Sequence, residues 1–452
     1  MTQWMTVVLA MLAMSLAVYD THAATYYVDV GHRQADDNNA GSEAAPWRTI
    51  QHAADRAGPG DVILVNAGQY DERVTLRRSG TEAERITFRA AERHQARAQG
   101  FDLEADHITI EGFEITSDEE GAHGIFAGEA HHENARTGAR ILDNYIHNIG
   151  GTAITAGEHA LVKGNLMRNV LRGLFVNSGT LVEDNEIDTL VAPMVERGGE
   201  MRPRKTQYAF FAGNDITFRG NHFHGAPMED MHRWGVDFVT TWDAWIFGSS
   251  RNILIENNRF FNATHASEPE ATQHQQSSHI TYRNNLFVNT VFVGILAKQW
   301  THITVENNTF INCGAYPVWF QTERETEGSV VRNNLIAYHK HDERVHGGPE
   351  AESGIRINGN WSVEIDNNMY WASRNREYSP SDFTAEPRFV DLDNGDFRLA
   401  PGSPGLDAGM TLEHITTDLR GVERPQGGGY DVGAYEHTPE ERGQDADTGE
   451  GR

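Results

Sequence analysis

The sequence repeats one short phrase nine times, and the spacing of these repeats restricts the fold more than any other feature. The phrase alternates apolar and polar residues, reaches an asparagine and continues with an apolar residue, as in ITVENNTF. Consecutive copies lie 20 to 37 residues apart, as expected for stacked coils of about 20 residues that carry insertions of different length. The repeated asparagines are Asn144, Asn165, Asn185, Asn221, Asn258, Asn285, Asn308, Asn334 and Asn368.

The phrase also predicts the structure of one coil. In ITVENNTF, Ile303 and Val305 alternate with polar residues, which predicts a short strand with one buried face. We expect the asparagine to occupy the bend after the strand, because asparagine tolerates the left-handed conformation. Amides stacked from coil to coil would then form a hydrogen-bonded ladder. The predicted fold is all-β, a right-handed parallel β-helix, or solenoid.

Other repetitive folds fit the sequence less well. A leucine-rich repeat needs regular leucines and a nearly constant repeat length, and this chain has neither. A sandwich or a propeller needs frequent hairpin signals between strands, which are scarce here.

The two ends of the chain predict a secreted protein that is capped at both ends. The apolar stretch Met5–Val18 is too short to span a membrane comfortably. Thr21 and Ala23 then place small residues at the −3 and −1 positions of a signal cleavage site. Pro46 opens an amphipathic segment that we expect to form a helix over the first coil. The predicted organisation is a signal peptide at 1–23, a β-helix with its N-terminal cap at 24–379, a C-terminal cap at 380–437 and a disordered acidic tail at 438–452.

Charge and cysteine content exclude several classes of partner. The chain has 65 acidic against 38 basic residues, a net charge of −27, which argues against nucleic-acid binding. Its single cysteine, Cys313, cannot form an internal disulfide and is expected to be a buried, inert thiol. We therefore expect no nucleic acid and no membrane as partner, and a monomeric chain.

Both ends of the chain also resemble a known group of proteins. The opening TYYVDV, GSEAAPWRTIQHAADRAGPGDVILVNAGQY and the ending PRFVDLDNGDFRLAPGSPGLDAG, YDVGAYEH are similar to those of extracellular right-handed parallel β-helix proteins, which include the family 9 polysaccharide lyases. The segment GILAKQWTHITVENNTFINC resembles, more faintly, the catalytic coil of family 6 lyases, without the acidic pair expected before its lysine for calcium. The resemblance implies the fold and secretion. These ends accompany lyases, epimerases, hydrolases and non-catalytic proteins.

A candidate site follows from the longest insertions and from the strands beside them. The segments 188–208, 225–241 and 263–278 are predicted to leave successive coils on one side and to form the wall of a groove. The strand preceding each phrase points its alternate residues outward into this groove. The predicted site comprises Lys298, Arg324 and Arg356 for catalysis, Trp234, Trp242, Arg204, Lys205, His274, Gln276, Gln321, Glu323 and Asn358 for substrate binding, and Asp237 and Asp243 for Ca²⁺.

Lys298 is the first candidate for catalysis, because it is one of only four lysines and lies on a predicted strand. Neighbouring arginines and burial under Trp300 would lower its pKa, so that a neutral amine could remove the C5 proton of a uronic acid. Arginines or Ca²⁺ would neutralise the carboxylate of that sugar. The alternatives are a solvated lysine on a convex face, or a histidine base among His232, His265, His274 and His279.

The predicted function is a secreted polysaccharide lyase that cleaves a uronic-acid-containing polymer by β-elimination. A C5-epimerase shares the first step of that reaction. A glycoside hydrolase would instead use a pair of carboxylates among Asp237, Asp243 and Glu323. A non-catalytic glycan-binding surface protein is the third alternative.

Overall fold

Parallel strands stack coil upon coil along the chain, and each complete coil has three faces. The computed structural model describes residues 23–128, 135–190, 194–197, 200–203, 206–226, 236–241, 248–269, 271, 277–321, 328–338, 354–358, 362–372 and 379–438. Within these residues, one sheet of thirteen parallel strands forms the first face. Its strands are Thr25–Val28, Val62–Val65, Ile86–Ala90, Ile108–Glu111, Arg140–Leu142, Leu161–Lys163, Leu181–Glu183, Ile216–Arg219, Arg251–Glu256, Ser278–Arg283, Thr301–Glu306, Ser329–Arg332 and Val363–Asp366.

The second and third faces are formed by strands that follow the repeated asparagine. Some of these strands run through the corner between the two faces, where the register shifts, as between Ile149 and Thr152. We call third face the outer side of the segments 152–155, 172–176, 206–211, 236–241, 265–269, 293–298, 316–321 and 355–358. The strands of both faces are Gly68–Gln69, Arg73–Leu76, Ala96–Ala98, Gly100–Leu103, Glu114–Ile115, Ile125–Phe126, Tyr145–Thr155, Leu166–Val176, Glu186–Leu190, Thr206–Phe211, His222–His224, Val236–Thr241, Arg259–Pro269, Leu286–Lys298, Thr309–Cys313, Tyr316–Gln321, Leu335–Ala337, Ile355–Asn358, Met369–Trp371 and Phe383–Thr384.

The nine repeated asparagines form the predicted ladder inside the turn after the first face. Each is buried, with at most 1% of its surface exposed. The Asn308 amide donates to Asn334 Oδ1 at 3.0 Å and to the Tyr282 carbonyl at 3.0 Å. The ladder of asparagines extends to Asn368, whose backbone amide donates to Asp382 Oδ1. Buried amides that satisfy one another from coil to coil fix the stacking register.

The bend itself differs from the prediction in one respect. The left-handed residue is the one before each ladder asparagine, for example Asn307 with φ 51° or Gly220 with φ 67°. The preceding residue absorbs the strained conformation, and the ladder asparagine turns its side chain inward. Asparagine suits both the left-handed position and the ladder position, which explains why the phrase so often contains two asparagines in succession.

The core between the faces is built from stacked apolar side chains. Phe223, Phe260, Phe287 and Phe310 stack with ring centroids 4.8 to 5.1 Å apart, the spacing of adjacent strands. Cys313 is buried beside this stack, and burial raises the pKa of its thiol to about 12. The prediction of a buried thiol is confirmed.

The buried thiol leads to a simple expectation about reactivity. In the folded protein, Cys313 is expected to react with an aromatic disulfide reagent at least about 100-fold more slowly than in denaturant, because the attacking species is the thiolate. The release of reagent chromophore with time, with and without denaturant, measures this ratio. Equal rates would mean that the coil around Cys313 opens readily.

The predicted N-terminal helix is present, although it is shorter than predicted. It spans Ile50–Arg56, with Thr49 as N-cap, instead of starting at Pro46. Trp47 forms a parallel bridge with Val28, so the chain is still extended there. The apolar side of the helix faces the core as predicted.

The C-terminal segment folds back along the solenoid and covers the outer side of the second face. Ala434 and Leu419 pack on Leu286 and Ile311, and the Ala434 amide donates to Thr309 Oγ1 at 2.9 Å. This segment contains the strands Phe389–Asp391 and Asp396–Leu399, which pair antiparallel around the 3₁₀ turn Leu392–Asn394.

In the sequence, the inserted residues stand both before and after third-face strands. Residues 191–205 and 227–235 precede third-face strands, whereas 242–247 and 272–276 follow them. The first contains an antiparallel pair, Met194–Arg197 with Glu200–Pro203. Much of the predicted loops 225–241 and 263–278 is strand, namely Val236–Thr241 and the end of Arg259–Pro269. In the described part of the chain, the helix is too short to cross a membrane.

Candidate active site

Three consecutive third-face strands bring four ionisable side chains together. Asp237 lies on Val236–Thr241 and is opposite His265 on the next strand. Glu268 follows three residues after His265, and Lys298 ends the strand after that. We call Asp237, His265, Glu268 and Lys298 the acid–base cluster.

The distances in the acid–base cluster are those of direct hydrogen bonds and ion pairs. His265 Nδ1 lies 3.0 Å from Asp237 Oδ1 and 3.5 Å from Glu268 Oε2. Lys298 Nζ lies 2.5 Å from Glu268 Oε1. Nδ1 of His265 is the ring atom that faces both carboxylates, and a proton on it would be donated to Asp237. In the neutral ring, Nε2 is then the proton acceptor.

The acid–base cluster is largely withdrawn from solvent. The Asp237 side chain is fully buried, and those of Glu268, His265 and Lys298 are 10%, 15% and 24% exposed. Within the cluster, two carboxylates face one ammonium and one imidazole. Buried charges persist when they are paired in this way.

An aromatic and cationic patch adjoins the acid–base cluster on the same face. The Arg356 guanidinium lies 4.7 Å from the ring centroids of both Tyr316 and Trp319, and it donates to the Tyr316 hydroxyl at 2.5 Å and to Asn358. Phe292 is 37% exposed and lies edge-on to His265 at 5.6 Å. Among the described residues, the only other large hydrophobic side chain exposed to this degree is Val390. An exposed aromatic ring beside polar groups suits the apolar face of a sugar.

The structure supports the predicted orientation of the third-face strands. Ile295, Ala297, Val318 and Phe320 are buried inward. Lys298, Gln321 and Asn358 occupy one outward register column, in which Lys298 is opposite Gln321 and Gln321 is opposite Asn358.

Two expectations about the surroundings of Lys298 are not met. Trp300 is a fully buried core residue that packs edge-on against Phe211, so it does not cover the lysine. Arg356 lies in another register column and two strands away, about 10 Å by strand spacing. Glu268 contacts Lys298 directly.

Several predicted site residues lie outside the described residues. They are Arg204, Lys205, Trp234, Trp242, Asp243, His274, Gln276, Glu323 and Arg324. Their roles stay predictions.

Sequence reasoning missed Glu268 and gave His265 only a minor place. Both lie in ATHASEP, a segment that the sequence pattern assigns to a loop. Ser267 occupies an inward position there and donates to the Val239 carbonyl, so the apolar alternation of a strand is interrupted. The alternation of His265 and Ser267 with small residues was the available signal.

The described residues fit Ca²⁺ poorly. Asp237, His265 and Glu268 each offer one ligand atom, all within 4.8 Å of one another. Ca²⁺ requires six to eight oxygen ligands, but one of these atoms is an imidazole nitrogen. The Lys298 ammonium also lies against the Glu268 carboxylate and would compete with a metal for it. No step of the mechanism proposed below uses Ca²⁺.

Comparisons with known proteins agree with the fold. One family model, described as Pel9A-like, right handed beta helix region, matches residues 26–171. A second, described as right handed beta helix region, matches residues 203–378. Both models describe a right-handed β-helix, which confirms the predicted fold, and the first supports the resemblance of the opening to the family 9 polysaccharide-lyase-like group.

Individual relatives are distant. Uncharacterized protein YwoF of Bacillus subtilis (strain 168) is 25% identical over 142 residues, which are 27% of this chain and 29% of that protein. The match therefore spans less than a third of the curated relative. The pectate lyase Pel9A structure is 16% identical with a TM-score of 0.47, covering 92% of this chain and 97% of that chain. A rhamnogalacturonan lyase structure is 14% identical with a TM-score of 0.47, covering 89% and 99%. Similarity at this level does not identify an activity.

Proposed function

We propose that this chain is a secreted polysaccharide lyase that cleaves a uronic-acid-containing polymer by β-elimination. The observation that carries the proposal is the acid–base cluster, in which a buried carboxylate orients an imidazole beside an ammonium. The Pel9A-like opening of the chain agrees with it. Secretion rests on the apolar segment and cleavage pattern of residues 5–23.

The acid–base cluster supplies the base that β-elimination needs. Asp237 holds the Nδ1 proton of His265, so Nε2 can accept the C5 proton of the sugar. The C4–O bond then breaks, a double bond forms between C4 and C5, and solvent protonates the leaving oxygen. His265 thus takes the role that the sequence suggested for Lys298.

Lys298 has a different role in this mechanism. Its Nζ lies 2.5 Å from Glu268 Oε1, so the side chain is present here as the cation of an ion pair. A charged ammonium cannot remove a proton, but it can neutralise the uronate carboxylate and stabilise the enediolate that forms as C5 loses its proton. Lys298 therefore stays in the site as the cation beside the base.

The adjoining patch supports a chain of acidic sugars as substrate. Arg356 supplies a second cation, held between two aromatic rings, and Phe292 supplies a ring for stacking. These cations lie on a chain whose net charge is −27. Arg356 would pair with a uronate carboxylate of the polymer at this face.

A panel of polymers tests the proposed reaction. The purified chain is incubated with alginate, pectate, glycosaminoglycans and a neutral glucan, and both unsaturated ends and reducing ends are measured. The proposal expects ultraviolet absorbance from unsaturated ends with at least one polyuronate and none with the glucan. New reducing ends without absorbance would contradict it, as would no product from any polymer.

One observation favours a second candidate, a glycoside hydrolase. Carboxylate oxygens of Asp237 and Glu268 lie within 4.8 Å of each other, near the separation of about 5 Å found in retaining enzymes. Asp237 is fully buried and bonded to His265, however, which makes it a poor nucleophile. Reducing ends without unsaturation in the panel would select this candidate.

Phe292 offers a test of the binding surface alone. Replacing Phe292 by alanine is expected to raise KM roughly three- to tenfold, because a stacked aromatic contact contributes about 0.5–1.5 kcal/mol. The value of kcat should stay close to that of the wild type, since the base and the cation remain. Steady-state kinetics on the active polymer measures both constants. Val390→Ala is the matched control, because Val390 is 45% exposed in the C-terminal segment; equal KM changes in the two variants would contradict the role of Phe292.

A further inference from the structure

A second group of metal-ligating side chains lies on the second face, apart from the acid–base cluster. Glu186 begins the strand Glu186–Leu190, and His222 and His224 belong to the next strand of this face. Glu186 is opposite His222 across the strand pair. The two histidines are two residues apart on one strand, so both point to the same side.

The geometry brings one donor atom of each residue close together. The three atoms lie within 4.8 Å of one another, and His224 Nε2 is 3.0 Å from Glu186 Oε1. The two imidazole rings stack with centroids 4.1 Å apart. Ligands held about 2.1 Å from a tetrahedral zinc ion lie roughly 3.4 Å from each other. Small side-chain rotations would therefore place all three donors around one ion.

The type of donor indicates the class of cation. Two imidazole nitrogens with one carboxylate suit Zn²⁺ and similar divalent transition metals, whereas Ca²⁺ and Mg²⁺ prefer oxygen ligands only. Asp188 Oδ1 lies 3.7 Å from His224 Nδ1, where a carboxylate can orient a metal-bound histidine. Two guanidinium groups also face this group: Arg168, bonded to Asp188 at 2.7 Å, and Arg259, opposite His222 on the next coil.

We propose that Glu186, His222 and His224 form a binding site for one Zn²⁺-like divalent cation. The ion would join two neighbouring coils through their paired strands on the second face. The next third-face strands along the chain after Glu186–Leu190 and His222–His224 are Thr206–Phe211 and Val236–Thr241, respectively. The site fastens the coils that carry Asp237 and takes no part in the chemistry at His265.

Titration of the metal-free full chain with Zn²⁺ alone tests the site. Isothermal titration calorimetry is expected to show one tight site in the wild type, and its isotherm should disappear in the double variant His222→Ala, His224→Ala. Glu186→Gln is expected to weaken binding at least about tenfold, because it removes a charged ligand. Saturating Zn²⁺ should raise the melting temperature of the wild type and not that of the double variant.

Matched variants separate this site from other histidines. His279 and His302 also stack, at 4.4 Å, but belong to neither group of three ligands found among the described residues. The double variant His279→Ala, His302→Ala is expected to keep the tight site, and so is His265→Ala. A titration curve of the His222, His224 variant that superimposes on the wild type would overturn the proposal. Loss of the tight site in His265→Ala alone would do the same and would assign the metal to the acid–base cluster.

Discussion

Replacing Lys298 by alanine is expected to lower kcat/KM on the cleaved polyuronate by about 10³-fold, because the site loses the cation that stabilises charge developing on the sugar carboxylate. Steady-state rates of unsaturated-end formation measure the loss. The free energy of unfolding should fall by about 2 kcal/mol, since the nearly buried Glu268 carboxylate loses a hydrogen bond from a charged group. Denaturant unfolding then confirms that the inactive variant is folded.

Two further substitutions assign the roles within the acid–base cluster. Lys298→Arg keeps the positive charge but cannot act as a base, so it is expected to recover at least about tenfold of the activity that alanine removes. His265→Ala is expected to lose about 10²- to 10⁴-fold in kcat, the usual contribution of general base catalysis. If Lys298→Arg were as inactive as Lys298→Ala while His265→Ala stayed active, the lysine would be the base.

Lys163 provides the matched control for Lys298. It forms the same kind of ion pair, with Glu183 at 2.6 Å on the neighbouring strand, but on the first face. Lys163→Ala is expected to leave kcat/KM unchanged and to alter stability by less than about 1 kcal/mol, as for exposed pairs. A comparable loss of activity in this variant would indicate a general effect of charge and not a local one.

The second large effect is expected in the asparagine ladder. Asn308→Ala should lower the free energy of unfolding by about 3–5 kcal/mol, because it leaves several buried partners without hydrogen bonds. Asn308 Oδ1 accepts from both the backbone and the side-chain amide of Asn285, and Asn308 Nδ2 donates to Asn334. The denaturant midpoint is the measurement, read by circular dichroism and by core fluorescence in parallel.

An exposed asparagine serves as the control for the ladder. Asn214 lies in a bend and is exposed. Asn214→Ala is therefore expected to change the free energy of unfolding by less than about 0.5 kcal/mol. If the two asparagine variants unfolded at the same denaturant concentration, the ladder would contribute little to stability. The physical account of the repeat would then be wrong.

The sequence predicts the solenoid well because the same local physics recurs in every coil. The ladder asparagine, the alternating strand before it and the outward positions of Lys298 and Gln321 all follow from a period of two and a buried amide. A one-residue register error would have reversed each orientation. Because the pattern repeats, the register of each coil must agree with that of its neighbours, and this agreement excludes such an error.

The chemistry of the site could not be predicted to the same degree. Glu268 and His265 lie just after a corner, where the register shifts between Ala263 and His265. The inward Ser267 bonds to the Tyr282 hydroxyl and hides the strand pattern. Contacts between coils also depend on insertion length, because Asp237 and Lys298 are 61 residues apart in sequence but two strands apart in space. No local pattern encodes such a contact.

The most direct test of the account is a crystal structure of the His265→Ala variant with an oligosaccharide of the cleaved polymer. The account predicts a sugar chain across the third face, with one uronate carboxylate against Lys298 and a C5 hydrogen directed at position 265. A sugar bound on the first face, or bound on the third face with its carboxylate directed away from Lys298, would contradict it.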